Sequence, residues 1–486
     1  MITGYAGFIG QTYRSTSPRM AAEQALNMYP IPQQVAGARP PFPMVFAPTP
    51  GTRTFGTAGN GPIRDLFYED GRCFCVSGTE YYEVAASGST ALRGTVAASG
   101  FPSRIATNGS GGGQNMIISG GLGYIHTLST NAFAQITDID FPANVVGLAF
   151  SDGYFLVASY ATRQFNYSGR FNGITWGAAD LAQKSQTTDN LRTLFVSHKE
   201  VWLPGSKTIE VWYNTGDLSV TFAPIQGVLI EHGVSAVESM RRLAGTIAWL
   251  GEDADGQAIA WYADGYTPVR FSHDGVERLW AAYDRVDDAY AWVHQYGGHT
   301  FYVLTFPTAN ATWVCDFTTR LWHERSFLNP ASGEDEAHIG RCHAFAFGKH
   351  LVGSRNDGTI YELTPAALYD RDTDAIRRVR RAPHIFAGAG SRDITINEFA
   401  MRADVGVAAT TGQGSDPRLM FRYSVDGGKT YSDEILLEQG VLGDYDRRVA
   451  VNRLGQGHDW VMEVATSEPI THAWGDAMID AEGDGA

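Results

Sequence analysis

Apolar residues along this chain come in short alternating or continuous runs, each closed by Gly or Asp, and almost nowhere with helical spacing. Such runs predict strands joined by tight turns. One unit recurs: an apolar strand, a Gly- or Asp-containing turn, then a second strand that often carries Tyr or Trp. Copies read "GRCFCVSGTEYYEV" from Gly71, "GQNMIISGGLGYIHTL" from Gly113, "DGYFLVASYATRQFNYS" from Asp152 and "HKEVWLPGSKTIEVWYN" from His198. Three more are "GTIAWLGEDADGQAIAWYA" from Gly245, "GHTFYVLTFPTANATWVCDF" from Gly298 and "GKHLVGSRNDGTIYEL" from Gly348. Their starts lie 42, 39, 46, 47, 53 and 50 residues apart, the period of a propeller blade.

Before the copies lie short runs suited to inner strands: "IRDLFYE", "SRIAT", "VVGLAFS", "LRTLFVS", "VESMRRLA", "YAWVHQY" and "CHAFAFG". Fourth strands follow several copies, as in "VTFAPI" (220–225), "TPVRF" (267–271) and "LWHERSF" (321–327). The seventh copy lacks one. "TRTFGTA" (52–58), just ahead of the first blade, would complete it and remove the open edge. Residues 48–365 are therefore expected to form a seven-bladed β-propeller closed by its own N-terminal strand. Six or eight blades, or a hairpin-rich sandwich, are the alternatives such spacing allows.

The flanks differ. Residues 1–47 are expected to be an extended arm that wraps a neighbour or its own propeller. In it, "PIPQQVAGARPPFP" from Pro30 cannot form helix or central strand, and "PRMAAEQALNMY" has room for a helical turn or two. Residues 366–389 read as a charged linker. Six alternating runs over 390–480, from "DITINEFAMRADV" to "HAWGDAMID", predict a small β-sandwich. The acidic residues 481–486 are expected to fray. The fold class is thus all-β, a propeller followed by a sandwich.

Composition narrows the function. With 486 residues the core can be large, and a formal net charge of −15 argues against tight binding to a phosphate backbone. The 4 cysteines (Cys73, Cys75, Cys315, Cys342) are too few and scattered for a disulfide framework. Cys73 and Cys75 share a strand face, where core packing is expected rather than metal. No signal-peptide pattern or membrane-length apolar run occurs, so cytoplasmic synthesis is expected.

Candidate chemistry centres on "FRYSVDGGKTYSD" (421–433). A P-loop needs Gly where Tyr423 stands and a helix after Lys429-Thr430, and "YSDEILLEQ" reads as strand. Ser424, Asp426, Gly428 and Thr430 match the Asp-box turn of sialidases. That box is structural: the Asp carboxylate takes backbone N–H groups across a hairpin. A sialidase also needs clustered Arg, a Tyr nucleophile and an acid–base carboxylate, on blades. The turn here lies outside the propeller, so a structural hairpin is expected. Asp287-Asp288 and Glu334-Asp335-Glu336 read as solvated turns. No catalytic, cofactor or metal residues are assigned. Arg377, Arg378, Arg380 and Arg381 are the remaining cluster. Extended backbone sends them to both faces, as a solvated linker or as a subunit interface docking on acidic groups.

Taken in order, "EQALNMYP", "PTPGTRTF", "KTIEVWYNTG", "FAPIQGVLIEHGVSA", "NDGTIYEL", "IRRVRRAPHI" and "FRYSVDGGKTYS" resemble the packaged-DNA stabilisation (tail hub, nozzle-like) proteins of short-tailed bacteriophages. The resemblance is dispersed over nearly the whole chain. It implies a non-enzymatic virion protein, a hexameric ring beneath the portal and adaptor that extends the channel and helps retain the genome. It also implies needle, spike or fibre partners, and DNA that passes without sequence-specific binding. An acidic lumen would let DNA slide. The other readings are a receptor- or carbohydrate-binding propeller, given 11 Trp and 22 Tyr, and a glycosidase, for which no paired carboxylates stand out.

Overall fold

The computed structural model describes residues 2–33, 43–98, 103–109, 113–217, 219–386 and 393–483. Among these, seven four-strand antiparallel units follow one another along the chain. Their first strands are Ile63–Glu69, Arg104–Thr107, Val145–Ser151, Phe195–Ser197, Arg241–Leu243, Tyr290–Tyr296 and Gly340–Ala346. Except between the fourth and fifth blades, first strands of neighbouring blades lie against one another, and the seventh lies against the first. The expected propeller is present, with seven blades.

Turn chemistry sets the phase of the repeat. In six blades a two-residue turn joins the first strand to the second: Asp70-Gly71, Asp152-Gly153, His198-Lys199, Ala244-Gly245, Gly297-Gly298 and Phe347-Gly348. Both residues of each pair have positive φ, as the mirror-image hairpin turn requires. Gly supplies that conformation freely in five, and only His198-Lys199 holds it without Gly.

The last blade is closed as expected. Gly51–Thr57 pairs antiparallel with Thr359–Thr364, from Thr57↔Thr359 to Gly51↔Thr364. Gly56 then passes so close to the first blade that a Cβ there would meet the Gly88 carbonyl oxygen at 2.1 Å. Across this seam, Ile63, Leu66, Cys73, Cys75, Cys342 and Ile360 pack as one apolar cluster. Cys73 and Cys75 thus share a face in the core, and all four thiols are buried and free.

The six runs expected near the C-terminus form strands, but the sandwich they build is not theirs alone. One sheet runs Met28–Pro32, Met44–Pro48, Trp474–Gly483, Ile394–Ala403, Val449–Gly457, with Ile2–Gly4 also on Trp474–Gly483. The other runs Ala22–Leu26, Arg378–Arg381, Asp459–Thr466, Arg418–Ser424, Ile435–Glu438. Between the sheets lie Phe8, Phe46, Phe399, Phe421, Trp460 and Trp474. Strands from the arm therefore complete both sheets.

This changes three sequence readings. "PRMAAEQALNMY" forms no helix: Ala22–Leu26 is a strand between Arg378–Arg381 and Leu321–Leu328 of the sixth blade, which offer it two backbone edges. The pairing joins sandwich and sixth blade into one continuous sheet. The charged linker contributes an internal strand rather than a solvated spacer. The C-terminal strand, expected to fray after Asp480, stays paired with Ile394–Ala403 through Gly483. Residues 484–486 of the acidic tail, and 34–42 of the Pro-rich arm, lie outside the described residues. Within that arm, Pro30 and Pro32 occupy an edge strand, where a missing N–H costs no ladder bond.

Candidate assembly site: the arginine strand and the aspartate turn

The strand Arg378–Arg381 sits between Ala22–Leu26 and Asp459–Thr466, with Arg380 opposite Ala25 and Val464, and Arg381 opposite Gln24 and Glu463. Alternation sends Arg378 and Arg380 to one face and Arg381 to the other. Arg380 is 1% exposed. Its Nε donates to the Phe8 carbonyl (2.5 Å) and Nη2 to that of Gly7 (2.7 Å). Nη1 reaches the carbonyls of Gly10, Gln11 and Gln24, each at 3.3 Å. The guanidinium also lies 5.5 Å from the Phe46 ring centre. Burial lowers its pKa to about 10, and it is neutralised by carbonyl dipoles rather than a bonded carboxylate. It holds the Gly7–Gln11 loop against the sandwich.

Arg378 is equally buried and donates from Nη1 to the Ile376 carbonyl at 3.4 Å. As folded, neither residue is available to a neighbouring subunit, because backbone of the same chain encloses both. Arg377 points toward the propeller and pairs with Asp335 at 3.0 Å. Its carbonyl accepts from Asn27 Nδ2 (2.7 Å), which also donates to Ser326 Oγ (2.9 Å). Asn27 Oδ1 accepts the Ser326 N–H at 2.9 Å. Asn27, buried with φ of 54°, is thus the knot between arm, sixth blade and arginine segment. Sequence reading missed it; the one cue was an Asn between Leu26 and Met28 in an otherwise apolar run.

On the other face, Arg381 and Arg422 share Glu463, which is buried. Arg381 Nη2 lies 2.7 Å from Oε2, and Arg422 Nη2 lies 2.5 Å from Oε1. Both guanidinium groups stack on Tyr431, with centroid distances of 5.6 and 4.8 Å. Tyr431 belongs to the aspartate turn, so two segments read separately in the sequence meet here.

In that turn Asp426 Oδ1 accepts from the N–H groups of Lys429 and Thr430, both at 3.0 Å, and from Ser424 Oγ at 2.7 Å. Oδ2 accepts from Thr430 Oγ1 at 2.7 Å, and Ser424 Oγ accepts from Gly428 N at 2.8 Å. These donors, the Ser424 hydroxyl first, hold the Asp426 carboxyl well below the usual carboxylate range. Gly427 and Gly428 supply φ of 75° and 83°. The hairpin is tied in turn to its neighbours. Gly427 N donates to the Asp459 carbonyl at 2.9 Å. The ring of His384 bridges Asp459 Oδ1 and the Pro18 carbonyl, each at 2.7 Å.

Glu463 and Asp426 each take several donors, and those contacts tie the strands and the turn together. Among the described residues, no group of three His, Cys, Asp or Glu side chains has metal-holding geometry, and no helix is long and apolar enough to cross a membrane. The propeller and the sandwich are joined by the shared sheet, Asn27 and the Arg377–Asp335 pair. Residues 8–368 match the family described as Bacteriophage P22 Gp10, beta-propeller, and residues 385–482 match Bacteriophage P22 Gp10, beta-sandwich. The chain belongs to the bacteriophage P22 Gp10 family and is a structural protein of a phage tail.

A search of curated proteins finds no match. Among solved structures, the computationally designed Ika8 protein aligns at 10% identity and TM-score 0.41, over 65% of this chain and 99% of its own. Virginiamycin B lyase from Staphylococcus aureus aligns at 7% and 0.42, over 62% and 94%. The Neurospora crassa Pan2 WD40 domain aligns at 9% and 0.39, over 62% and 89%. Likenesses this distant add nothing to the family assignment.

Proposed function

We propose that this protein is one subunit of a sixfold ring that prolongs the portal–adaptor channel of a phage tail, helps hold packaged DNA inside, and forms its passage at ejection. The observation that carries the reading is the pair of family matches, in order and over nearly the whole chain. The fold supports it physically. A propeller whose last blade is closed by its own N-terminal strand has no end edge to splay, and the shared sheet couples the sandwich to the sixth blade. A channel wall under pressure needs that rigidity and no catalytic centre.

The ring's partners are further copies of itself, the portal and adaptor proteins, and a needle, spike or fibre. DNA runs through the lumen without sequence-specific contacts. The chain is made in the host bacterial cytoplasm and works in the virion tail. Of the four arginines, Arg377 and Arg381 keep 35% and 22% side-chain exposure and are the ones able to face a neighbouring subunit. The net charge of −15 accords with a lumen carrying an acidic excess.

Electron microscopy of the purified protein, alone and mixed with its phage's portal–adaptor complex, tests this. A sixfold ring capping the adaptor with an acidic lumen is the expected result. Monomers that never join the connector would overturn it in favour of a peripheral receptor-binding module, to be pursued on a glycan array. A basic lumen would remove the sliding argument.

A further inference from the structure

Strands alternate in direction within each blade, so the turns that join first to second and third to fourth strands all lie on one face of the propeller. Residues from four of those turns line a cleft of about 660 Å³ between the fourth, fifth and sixth blades. The turns are His198-Lys199, Ala244-Gly245, Gly265-Tyr266 and residues 317–320. Tyr266 presents its ring here at 38% exposure. Two contacts fix that ring. Its hydroxyl donates to Glu200 Oε1 at 2.5 Å, and the buried Trp202 packs against it with ring centres 6.1 Å apart. In the same cleft the Arg320 guanidinium lies over Phe317 and Tyr262, 3.3 and 4.4 Å from their ring centres. Stacking orients its fork and leaves the donors in its plane unused.

The other polar groups lining this cleft are also unspent. Among the described residues, the side chains of Asp264 and Arg320 make no hydrogen bond or ion pair. Glu200 keeps Oε2 free, and His198 uses Nδ1 on Ser197 Oγ at 3.1 Å and leaves Nε2 open. A polar cleft of about 690 Å³ on the opposite face is different: there Asp189 is committed to the N–H groups of Ser206, Lys207 and Thr208, and Asp287 to Arg285.

The glycine-free hairpin turn is the one that brings His198 to this cleft. His198 and Lys199 hold φ of 49° and 69°, a conformation that side chains resist and Gly takes freely. Lys199 anchors the turn on Asp152 of the third blade at 3.2 Å. Strain kept where Gly would relieve it points to a use for the side chain. We propose that the cleft is a saccharide site, in which one pyranose ring stacks on Tyr266 and shares its hydroxyls among His198, Glu200, Asp264 and Arg320. The lining selects that class. Sugar C–H groups pack on an aromatic face, and each hydroxyl both donates and accepts, which suits carboxylates set beside a guanidinium. Two carboxylates against one guanidinium leave no cationic excess for a phosphate or polyanion. Arg320 covers Phe317 and Tyr262, and Trp202 is buried, so the free apolar surface is one ring face, enough for a sugar and too little for a peptide anchor. The site is complete within one chain, so it stands whether or not the ring forms.

The full chain is tested on an array of neutral trisaccharides of glucose, galactose, mannose and rhamnose and of polysaccharides built from them, with titration calorimetry on those retained. Saturable binding of at least one is expected, weakened roughly tenfold in Tyr266→Ala and in Asp264→Asn. Arg418→Gln, on the exposed sandwich surface, should bind as the unaltered chain does. His198→Gly should weaken binding roughly tenfold while the melting temperature holds or rises, because Gly relieves the turn. A turn residue that served only the fold would not give that pair of results. Binding of a trisaccharide alone means that the cleft takes chain ends, and binding of the polysaccharide as well means that it takes an internal sugar; either supports the site. No sugar retained above the blank, or affinity unchanged in both Tyr266→Ala and His198→Gly, would overturn it. So would capture of peptides on a parallel peptide array with no sugar bound. Should Tyr266→Ala fail to fold, His198→Gly and Asp264→Asn decide the matter, and unaltered affinity in both refutes the site.

Discussion

The propeller and the sandwich are built from the same kind of strand but assembled in opposite ways. Each blade takes its strands from one contiguous stretch, and only the closing strand Gly51–Thr57 comes from afar. The sandwich instead combines strands between Ile2 and Pro48 with others between Arg378 and Gly483, so the whole propeller is inserted between its halves. Local pairing makes a propeller blade nearly self-sufficient, whereas the sandwich exists only when the two ends of the chain meet. Apolar clusters pack both regions, and in the sandwich, where the strands come from opposite ends of the chain, buried arginines, Asn27 and Glu463 add to that core.

Removing residues 1–27 should break this contrast most severely. It deletes the paired strands Ile2–Gly4, Tyr13–Arg14 and Ala22–Leu26 and most of what Arg380 binds, while sparing Gly51–Thr57. Hydrogen exchange should show the sandwich unprotected and the blades still protected. Equal loss in both regions would mean that they fold as one unit.

Acid should act the other way, striking the propeller first. Burial lowers the pKa of His294 and His338 and pushes His323 and His343 down to about 3, all around the sixth and seventh blades. In the sandwich, His472 is the corresponding buried case, also near 3. Unfolded histidine titrates near ~6.5, so between that pH and about 3 the unfolded chain binds protons that the folded chain refuses. Stability is therefore complete above ~6.5 and falls with pH, by about 1.4 kcal/mol per pH unit for each such histidine. Calorimetry from neutral pH to pH ~4 should show the propeller transition falling faster than the sandwich transition.

Arg380→Met should cost about 3–5 kcal/mol, since it removes a buried guanidinium and the donors to five carbonyls, that of Phe8 buried, and the loss should be confined to the sandwich and its arm. Chemical denaturation followed at Trp460 and Trp474 would read it. The smallest effect belongs to Asp426→Ala. It removes the acceptor from a surface hairpin, so it should lower the sandwich transition slightly, abolish protection of the Lys429 and Thr430 amides, and leave the propeller unchanged.

What was legible follows the same division. The blade period and the closing strand could be read because a turn and the two strands beside it lie within one short stretch of sequence. The aspartate turn was legible for the same reason, since its donors lie within four residues of Asp426. The arginine segment was half legible. Alternation predicts two faces, but whether either face meets water, another subunit or the chain's own carbonyls depends on partners such as Phe8, 372 residues away. The helical turns expected in the arm failed because a weak local propensity lost to two available strand edges. By itself, then, the sequence determined an all-β chain, seven blades, their closure and the six C-terminal strands, through periodicity and turn conformation. Only the tertiary structure decided that the arm would complete the sandwich, that Arg378 and Arg380 would be buried, and that Asn27, Glu463 and Tyr431 would join the parts. Those outcomes rest on backbone edges and unmatched charges that become neighbours only after the chain has folded back on itself.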